Sequence, residues 1–328
     1  MKSSNRAASL LFLIAAAGFT VHAQEDQSGA AGCDRSCLIN WVDAYLTALV
    51  AHDPERVPIA ENARFVENAT ALVPGAGLWM SAVEVPTNFR IYVPDPVAQQ
   101  VGFMGLMKAL VTVETGQETR PVLLALRLKL ENGRISEMEH LLARNLGERN
   151  LPNLLLPRKG LLVTVPEAER MPRNELLRIG STYYEALVGD SGSLAPFADD
   201  CVRRENGIQT TRNPPPPAGA TSLSLIGTMG CAEQLDTHFM DYLDAIDNRR
   251  VEIADVETGL VLGLSHFRHS MVNKKINIVG VPGVEELELN YNAFDLPAAH
   301  IYKITGGQIH EIEAMGFSIP YNSKTGWE

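Results

Sequence analysis

Apolar residues gather first in a run at 7–21, and from residue 36 onward they fall into two rhythms. Over 36–52, Leu38, Trp41, Val42, Tyr45 and Leu49 recur at three- and four-residue steps, which predicts a helix ending near Asp53-Pro54. A short helical turn at 58–60 is expected to lead into a strand at 63–68. After an irregular stretch, the runs at 89–93, 101–113, 122–130 and 135–142 read as extended. Glu131-Asn132-Gly133-Arg134 joins the last two, and Asn-Gly between alternating runs is a strong hairpin signal. Thr305-Gly306-Gly307-Gln308 plays the same part near the end of the chain. A helix followed by antiparallel strands predicts an α+β domain, with helices packed on one face of a strongly curved sheet.

The pattern occurs twice. Tyr45-Leu-Thr-Ala48-Leu49 returns as Tyr183-Tyr-Glu-Ala186-Leu187, and the same shift of 138 residues places Pro58 on Pro196, Ala60 on Ala198 and Glu67-Asn68 on Glu205-Asn206. Arg90 and Asp95 match Arg250 and Asp255 at a shift of 160. Lys129-x3-Gly133-x-Ile135-x-Glu137-x-Glu139 matches Lys303-x3-Gly307-x-Ile309-x-Glu311-x-Glu313 at a shift of 174. Three blocks in one order indicate two homologous domains. The rising shift puts 36 extra residues into the second half, in two insertions. One insertion contains Pro214-Pro215-Pro216-Pro217, which is expected to be a surface loop. The expected organisation is a signal peptide at 1–23, a first domain at 24–148, a linker at 149–172 and a second domain at 173–328.

Lys2 and Arg6 before the apolar run, and Val21-His22-Ala23 after it, have the layout of a secretory signal peptide cleaved near Ala23. Secretion or a periplasmic location follows as an expectation, with no membrane attachment after cleavage. In an oxidising compartment the four cysteines are expected to form disulfides, and their spacing favours Cys33–Cys37 and Cys201–Cys231. Zinc is the alternative, but Cys-x3-Cys without a second close pair argues weakly for it, so no metal is expected.

Tyr-x2-Ala-Leu, then Pro-x-Ala, a strand carrying Glu-Asn, and a closing Lys-x3-Gly-x-Ile-x-Glu hairpin together resemble the SnoaL-like branch of the nuclear transport factor 2-like superfamily, once per half. The resemblance implies two tandem cone-shaped domains, each with a helix layer, a bent sheet and an apolar pocket at the open end. It also implies a range of activities, from ketosteroid isomerases, scytalone dehydratases, polyketide cyclases and epoxide hydrolases to binding domains without catalysis. Val66-Glu67-Asn68 followed by Pro74-Gly75-Ala76-Gly77-Leu78-Trp79 further resembles an uncharacterised group of secreted fungal and bacterial domains.

Glu67-Asn68 and Glu205-Asn206 lead the candidates for chemistry. Alternate strand residues face opposite sides, and Phe65 shares the side of Glu67, which points Glu67 into the cone. A carboxylate against apolar walls would have a raised pKa and could move protons near neutral pH; the alternative is a glutamate bonded to helix backbone. His266 and His269 fall on opposite faces of one strand, so one is expected to face the pocket as acid or base and the other to be solvated. Trp79 is expected at a pocket mouth. Tyr45 and Tyr183 lie on the inner stripes of the two first helices, as ligand contacts or as core residues with satisfied hydroxyls. Glu137 with Glu139, and Glu311 with Glu313, read as solvated, charge-balanced faces.

The chain carries 28 Lys and Arg against 39 Asp and Glu, a formal charge of −11, and removal of 1–23, which holds Lys2 and Arg6 but no acid, takes this to −13. Such a balance argues against nucleic acid and anionic lipid as partners. No Gly-x-Ser-x-Gly, Walker, Gly-x-Gly-x-x-Gly or His-Glu-x-x-His motif occurs, so cofactor-free chemistry on a small apolar organic ligand is expected. In a lyase, isomerase or cyclase, Glu67 or Glu205, with His266, would move protons while Asn68, Asn206 or Tyr183 steadies an oxyanion. The alternative is a non-catalytic binding or scaffold protein. Its two domains would pack through their sheets as an intramolecular pair in a monomer, with the first half lacking a histidine where the second has two.

Overall fold

The computed structural model describes residues 32–328; the expected signal peptide at 1–23 lies outside the described residues. Helix α1 (Arg35–Val50) starts at Asp34, whose carboxylate accepts the Cys37 N–H at 2.8 Å, satisfying one of the free amides of the first turn. Cys33 and Cys37 are joined beside this cap. The helix buries Leu38, Val42, Tyr45, Leu46 and Leu49, the stripe its periodicity requires. The first sheet contains β1 (Ile59–Glu67), β2 (Thr70–Leu72), β3 (Ala82–Glu84), β4 (Arg90–Asp95), β5 (Gln100–Val113), β6 (Gly116–Glu131) and β7 (Arg134–Ala143). Its order is β2-β1-β7-β6-β5-β3, with β4 also on β5; β1 runs parallel to β7, and β5, β6 and β7 are antiparallel neighbours. The helical turn expected at 58–60 lies instead at Pro54–Arg56, where Asp53 caps it and proline suits its first position. Ile59 already begins the strand.

The connector holds the short helix α2 (Lys159–Leu162) and leads to α3 (Arg173–Val188). The second half then has β8 (Phe197–Glu205), β9 (Ile208–Gln209), α4 (Ser222–Ile226), α5 (Cys231–Leu235), β10 (Ala245–Asp255), β11 (Leu260–His269), β12 (Lys275–Asn277), β13 (Glu286–Glu288), β14 (Phe294–Thr305), β15 (Gln308–Gly316) and β16 (Ile319–Pro320). The order β10-β11-β14-β15-β8-β9, with β8 parallel to β15, reproduces the first sheet. The extra residues form α4 and α5 in the first insertion and the separate β12–β13 pair in the second. Ile226 from the first insertion joins Met271, Ile276, Ile278 and Val281 from the second in a small core of their own. Cys201 on β8 is bonded to Cys231 at the start of α5. The architecture is therefore α+β, two tandem domains of one design.

The outer faces of the two sheets pack against each other. Along β6, Val122, Leu124, Leu126 and Leu128 face the helix, while Leu123 and Ala125 meet Ile253, Leu262, Leu264 and Ile301 of the second half. Strands covered on both faces lose the simple alternation of a half-exposed sheet. Equivalent residues exchange ion pairs across this interface. Arg173 Nε lies 2.7 Å from buried Asp95, and Arg35 Nη2 lies 3.0 Å from buried Asp255. Arg35 and Arg173 correspond in the repeat, as do Asp95 and Asp255. Reciprocity of this kind is the mark of a two-fold, self-complementary interface, here between two halves of one chain.

The carboxylates read as solvated faces depart from that expectation. Glu139 is 5% exposed and accepts two 2.6 Å bonds from Arg250 of the other half. Glu313 is 1% exposed. There the connector's Arg158 stands in place of the equivalent Arg90, which pairs with Asp43 of its own domain. Burial pushes the Glu313 carboxyl up to about 7 against the pull of Arg158 and Arg204. Sheet faces that strand alternation marks as polar become interface once a second domain covers them.

Candidate functional site

In the first half the cone is packed. Tyr45, Phe65, Trp79 and Phe103 are all at most 2% exposed and belong to one core. Within it, Tyr45 Oη lies 2.8 Å from His140 Nε2, and His140 Nδ1 lies 3.1 Å from Glu67 Oε2. A carboxylate only accepts, so Nδ1 carries a proton toward Glu67. Burial raises the Tyr45 hydroxyl well above its ordinary value, which keeps it a donor. Glu67 also accepts the Leu78 N–H at 2.8 Å and has Arg144 at 3.6 Å. Gly77 sits at φ +66°, and a Cβ there would come within 2.7 Å of the Glu67 carboxylate, so this close approach requires glycine.

The expected elevation of the Glu67 pKa is reversed. Burial pushes it up, but His140, the Leu78 amide and Arg144 together hold it below the ordinary carboxylate value. Trp79, expected at a pocket mouth, is fully buried with its ring edge-on to Tyr45, the centroids 5.1 Å apart. Glu67→Gln is accordingly expected to cost about 1–3 kcal/mol, the range for a buried acceptor exchanged inside a bonded network. Because the folded pKa is lowered, this contribution is complete above the unfolded value of about 4.5 and is lost as pH falls through the folded one. Urea unfolding of both proteins at pH 7 and pH 3 checks it: the difference should shrink at the lower pH.

The two asparagines hold backbone. Asn68 and Asn206 both adopt positive φ, 47° and 48°, directly after their strands. Asn68 Oδ1 accepts the Leu142 N–H at 2.8 Å and Nδ2 donates to the Leu142 carbonyl at 3.3 Å; Asn206 makes the same pair with Gly316 at 3.1 and 2.9 Å. Asparagine tolerates the left-handed region and can clamp a neighbouring strand with its amide, and the repeat has kept this device in both domains.

In the second half the corresponding space is open. A cavity of about 630 Å³ is lined by Tyr183, Arg203, Glu205, Asn206, His269 and His300, with Tyr242, Phe239, Phe267 and Ala314 among its apolar and aromatic walls. Three of its lining residues differ from the packed half at repeat-equivalent positions. Phe65 becomes Arg203, and the cross-strand pair Leu126–His140 becomes His300–Ala314, while the space beside Gly263, the counterpart of Phe103, is filled by Tyr184 and Tyr302. Removing the imidazole from position 314 leaves Tyr183 and Glu205 without the side chain that links their counterparts.

Of the paired histidines, His269 lines this cavity and His266 does not. His266 lies on the opposite face of β11, 2% exposed, its Nε2 3.2 Å from Asp295. Both rings are buried, so neither is the solvated partner expected. His269 stacks on Phe294 at 4.2 Å and on Tyr242 at 5.3 Å, its Nδ1 has no protein partner, and burial pushes its pKa down to about 4. Burial, reinforced by Arg203, pushes His300 down to about 3. Both imidazoles are neutral at pH 7. Arg203 and His300 were not among the sequence candidates, nor was His140. Reading the repeat for differences rather than identities points to all three, since each replaces a hydrophobic or small residue in the other half. Among the described residues no cluster of His, Cys, Asp or Glu could hold a metal ion.

Two tandem α+β domains of one design, one packed and one hollow, define the class of protein. The chain belongs to the DUF8021 family, a domain of unknown function, whose model matches residues 32–142 and 169–316. Among solved structures it is similar to a protein described as a polyketide cyclase from Xanthomonas campestris pv. campestris, with 15% identity, 33% of this chain and 90% of that chain covered, and a TM-score of 0.28. A protein described as a SnoaL-like polyketide cyclase from Shewanella putrefaciens gives 16%, 32%, 88% and 0.27. A protein with a ketosteroid isomerase-like fold from Catenulispora acidiphila, in complex with trimethylamine, gives 12%, 36%, 93% and 0.26. Comparison with curated proteins finds no match.

Proposed function

We propose that this is an extracytoplasmic small-molecule protein whose second domain encloses a largely apolar organic ligand and carries out cofactor-free proton transfer on it, of the lyase, isomerase or cyclase kind. The first domain, on this reading, is the structural partner. The observation that carries it is the contrast between a packed cone in one half and a cavity of about 630 Å³ in the other, within one repeat design. That volume lies in the range of sites for drug-sized ligands, and its lining has the usual form of apolar walls with a few convergent polar groups. His269, neutral and buried with an unpartnered nitrogen, and Glu205 are the groups able to accept a proton; Tyr183 is a donor for a developing oxyanion. Two disulfides are compatible with an oxidising compartment, and no helix among the described residues is long and apolar enough to cross a membrane.

A specific observation also favours the alternative of binding without turnover: Glu205 is already paired with Arg203 at 3.0 Å. One experiment separates these readings. Nile red should bind the folded chain one to one, and Ala314→His, which restores the side chain present in the packed half, should weaken it by about tenfold or more by occluding the cavity. Equal affinity in the two proteins places the probe elsewhere and defeats the cavity reading. With 2-tetralone in D2O, proton transfer appears as accelerated exchange of the hydrogens next to the carbonyl, lost in His269→Phe or Glu205→Gln. Tight binding without exchange leaves the binding role.

A further inference from the structure

The polar groups that the cavity presents define the chemistry of what it takes. Arg203 is 5% exposed. Its Nε faces Thr210 Oγ1 at 2.9 Å and a Glu205 carboxylate oxygen at 3.0 Å, and its Nη2 donates to Gln234. Nη1 makes none of these bonds among the described residues, and the Tyr183 hydroxyl lies beside the guanidinium. The guanidinium is charged at any pH of interest, and its one acidic neighbour, Glu205, is 49% exposed and meets only the Nε edge. A buried cation with a rigidly aimed N–H in an apolar chamber favours an anionic oxygen. His300 and His269, the other titratable side chains on the wall besides tyrosines, are neutral and do not compete for that charge.

The second group is His269. It is 3% exposed, stacked among Tyr242, Phe267 and Phe294, and its Nδ1 bonds to nothing in the protein. Leaving a buried polar atom unpaired costs free energy that a ligand hydroxyl would recover. Tyr183, Tyr242 and Phe267 supply flat walls suited to an aromatic ring.

Resting on the cavity reading above, we infer that the second-domain site takes a hydroxylated aromatic carboxylate, its carboxylate on Nη1 of Arg203 and its hydroxyl on His269. Glu205 then acts as a specificity-determining neighbour, since it shares the guanidinium with the ligand carboxylate and repels it.

The test uses the full mature chain, isothermal titration at pH 7, and three probes: 6-hydroxy-2-naphthoate, 2-naphthoate and 6-hydroxy-2-naphthamide. The hydroxynaphthoate is expected to bind about tenfold or more tighter than the amide, the margin of one hydrogen bond to a charged group, and several-fold tighter than the naphthoate. Arg203→Met should abolish the preference over the amide. Since that variant strands Glu205 and disturbs a buried network, Glu205→Gln serves as the second probe: it should tighten both carboxylates several-fold and leave the amide unchanged. An amide that binds as well as the acid, with Glu205→Gln indifferent, overturns the carboxylate assignment while the cavity reading stands. Failure of all three to displace bound Nile red overturns the ligand class. Failure of Nile red itself to bind removes the cavity reading and this inference with it.

Discussion

Asp95→Ala is expected to lower the unfolding free energy by about 3–5 kcal/mol, the cost of leaving the partner of a buried ion pair unmatched. Asp95 is fully buried at the end of β4 and accepts from Arg173 Nε at 3.0 and 2.7 Å, from the Ala254 N–H at 2.9 Å, and from the Val97 and Ala98 N–H groups at 3.1 Å. Alanine would strand all of these donors, one of them charged, and two of them on the opposite domain. The loss should reach beyond the local turn, because the same carboxylate ties the first sheet to α3 and β10 of the second half. Arg173→Ala combined with Asp95→Ala should cost little more than Asp95→Ala alone, since residues in one bonded network do not add. Guanidinium unfolding of the two single variants and the double variant measures this. A loss under about 1 kcal/mol for Asp95→Ala would mean that the apolar contacts between the sheets hold the halves without their ion pairs.

The second large effect concerns Cys201–Cys231. The bond spans 30 residues of sequence, and closing a loop of that size removes about 3–4 kcal/mol of chain entropy from the unfolded state. Cys33–Cys37 spans only 4 residues and should contribute less by the same reasoning. The longer loop contains Asn213, Pro214, Pro216, Leu223 and Ile226, all on the cavity wall. Replacing both Cys201 and Cys231 by serine is therefore expected to lower stability by that amount and also to weaken Nile red binding, since the wall then loses its covalent anchor and keeps only its small core with the second insertion and its hydrogen bonds to Arg203 and Gln234. Thermal unfolding and a binding isotherm on one sample separate the two effects. Unchanged probe affinity in a destabilised but folded variant would show that the wall stands without the bond.

Much of this was legible without coordinates. The helical step of Leu38, Val42, Tyr45 and Leu49 and the Asn132-Gly133 turn are local features, and local sterics and hydrogen bonding decide them. The repeat carried the domain plan because equivalent residues must build equivalent elements. The site was less accessible. Glu67 and Glu205 occupy matched positions at the end of β1 and β8, yet one is locked between His140 and a helix amide while the other is 49% exposed beside Arg203. Two residues before each glutamate the chain already differs, Phe65 against Arg203, but that exchange alone does not show which carboxylate is locked. The difference lies in side chains contributed by β7 against β15 and β6 against β14, far along the chain.

By itself the sequence determined the class of fold, its duplication and the placement of the two insertions, and it favoured the cysteine pairing that the structure holds, because periodicity, repetition and spacing are properties of the chain. Only the tertiary structure decided which cone is full. Whether a cone holds a cavity depends on volumes summed over strands that meet only after folding, and the exchange of His140 for Ala314 on the cavity wall lowers that sum. It decided likewise that Glu139 and Glu313 are interface carboxylates, since a strand's polar face becomes buried only when another sheet is laid upon it.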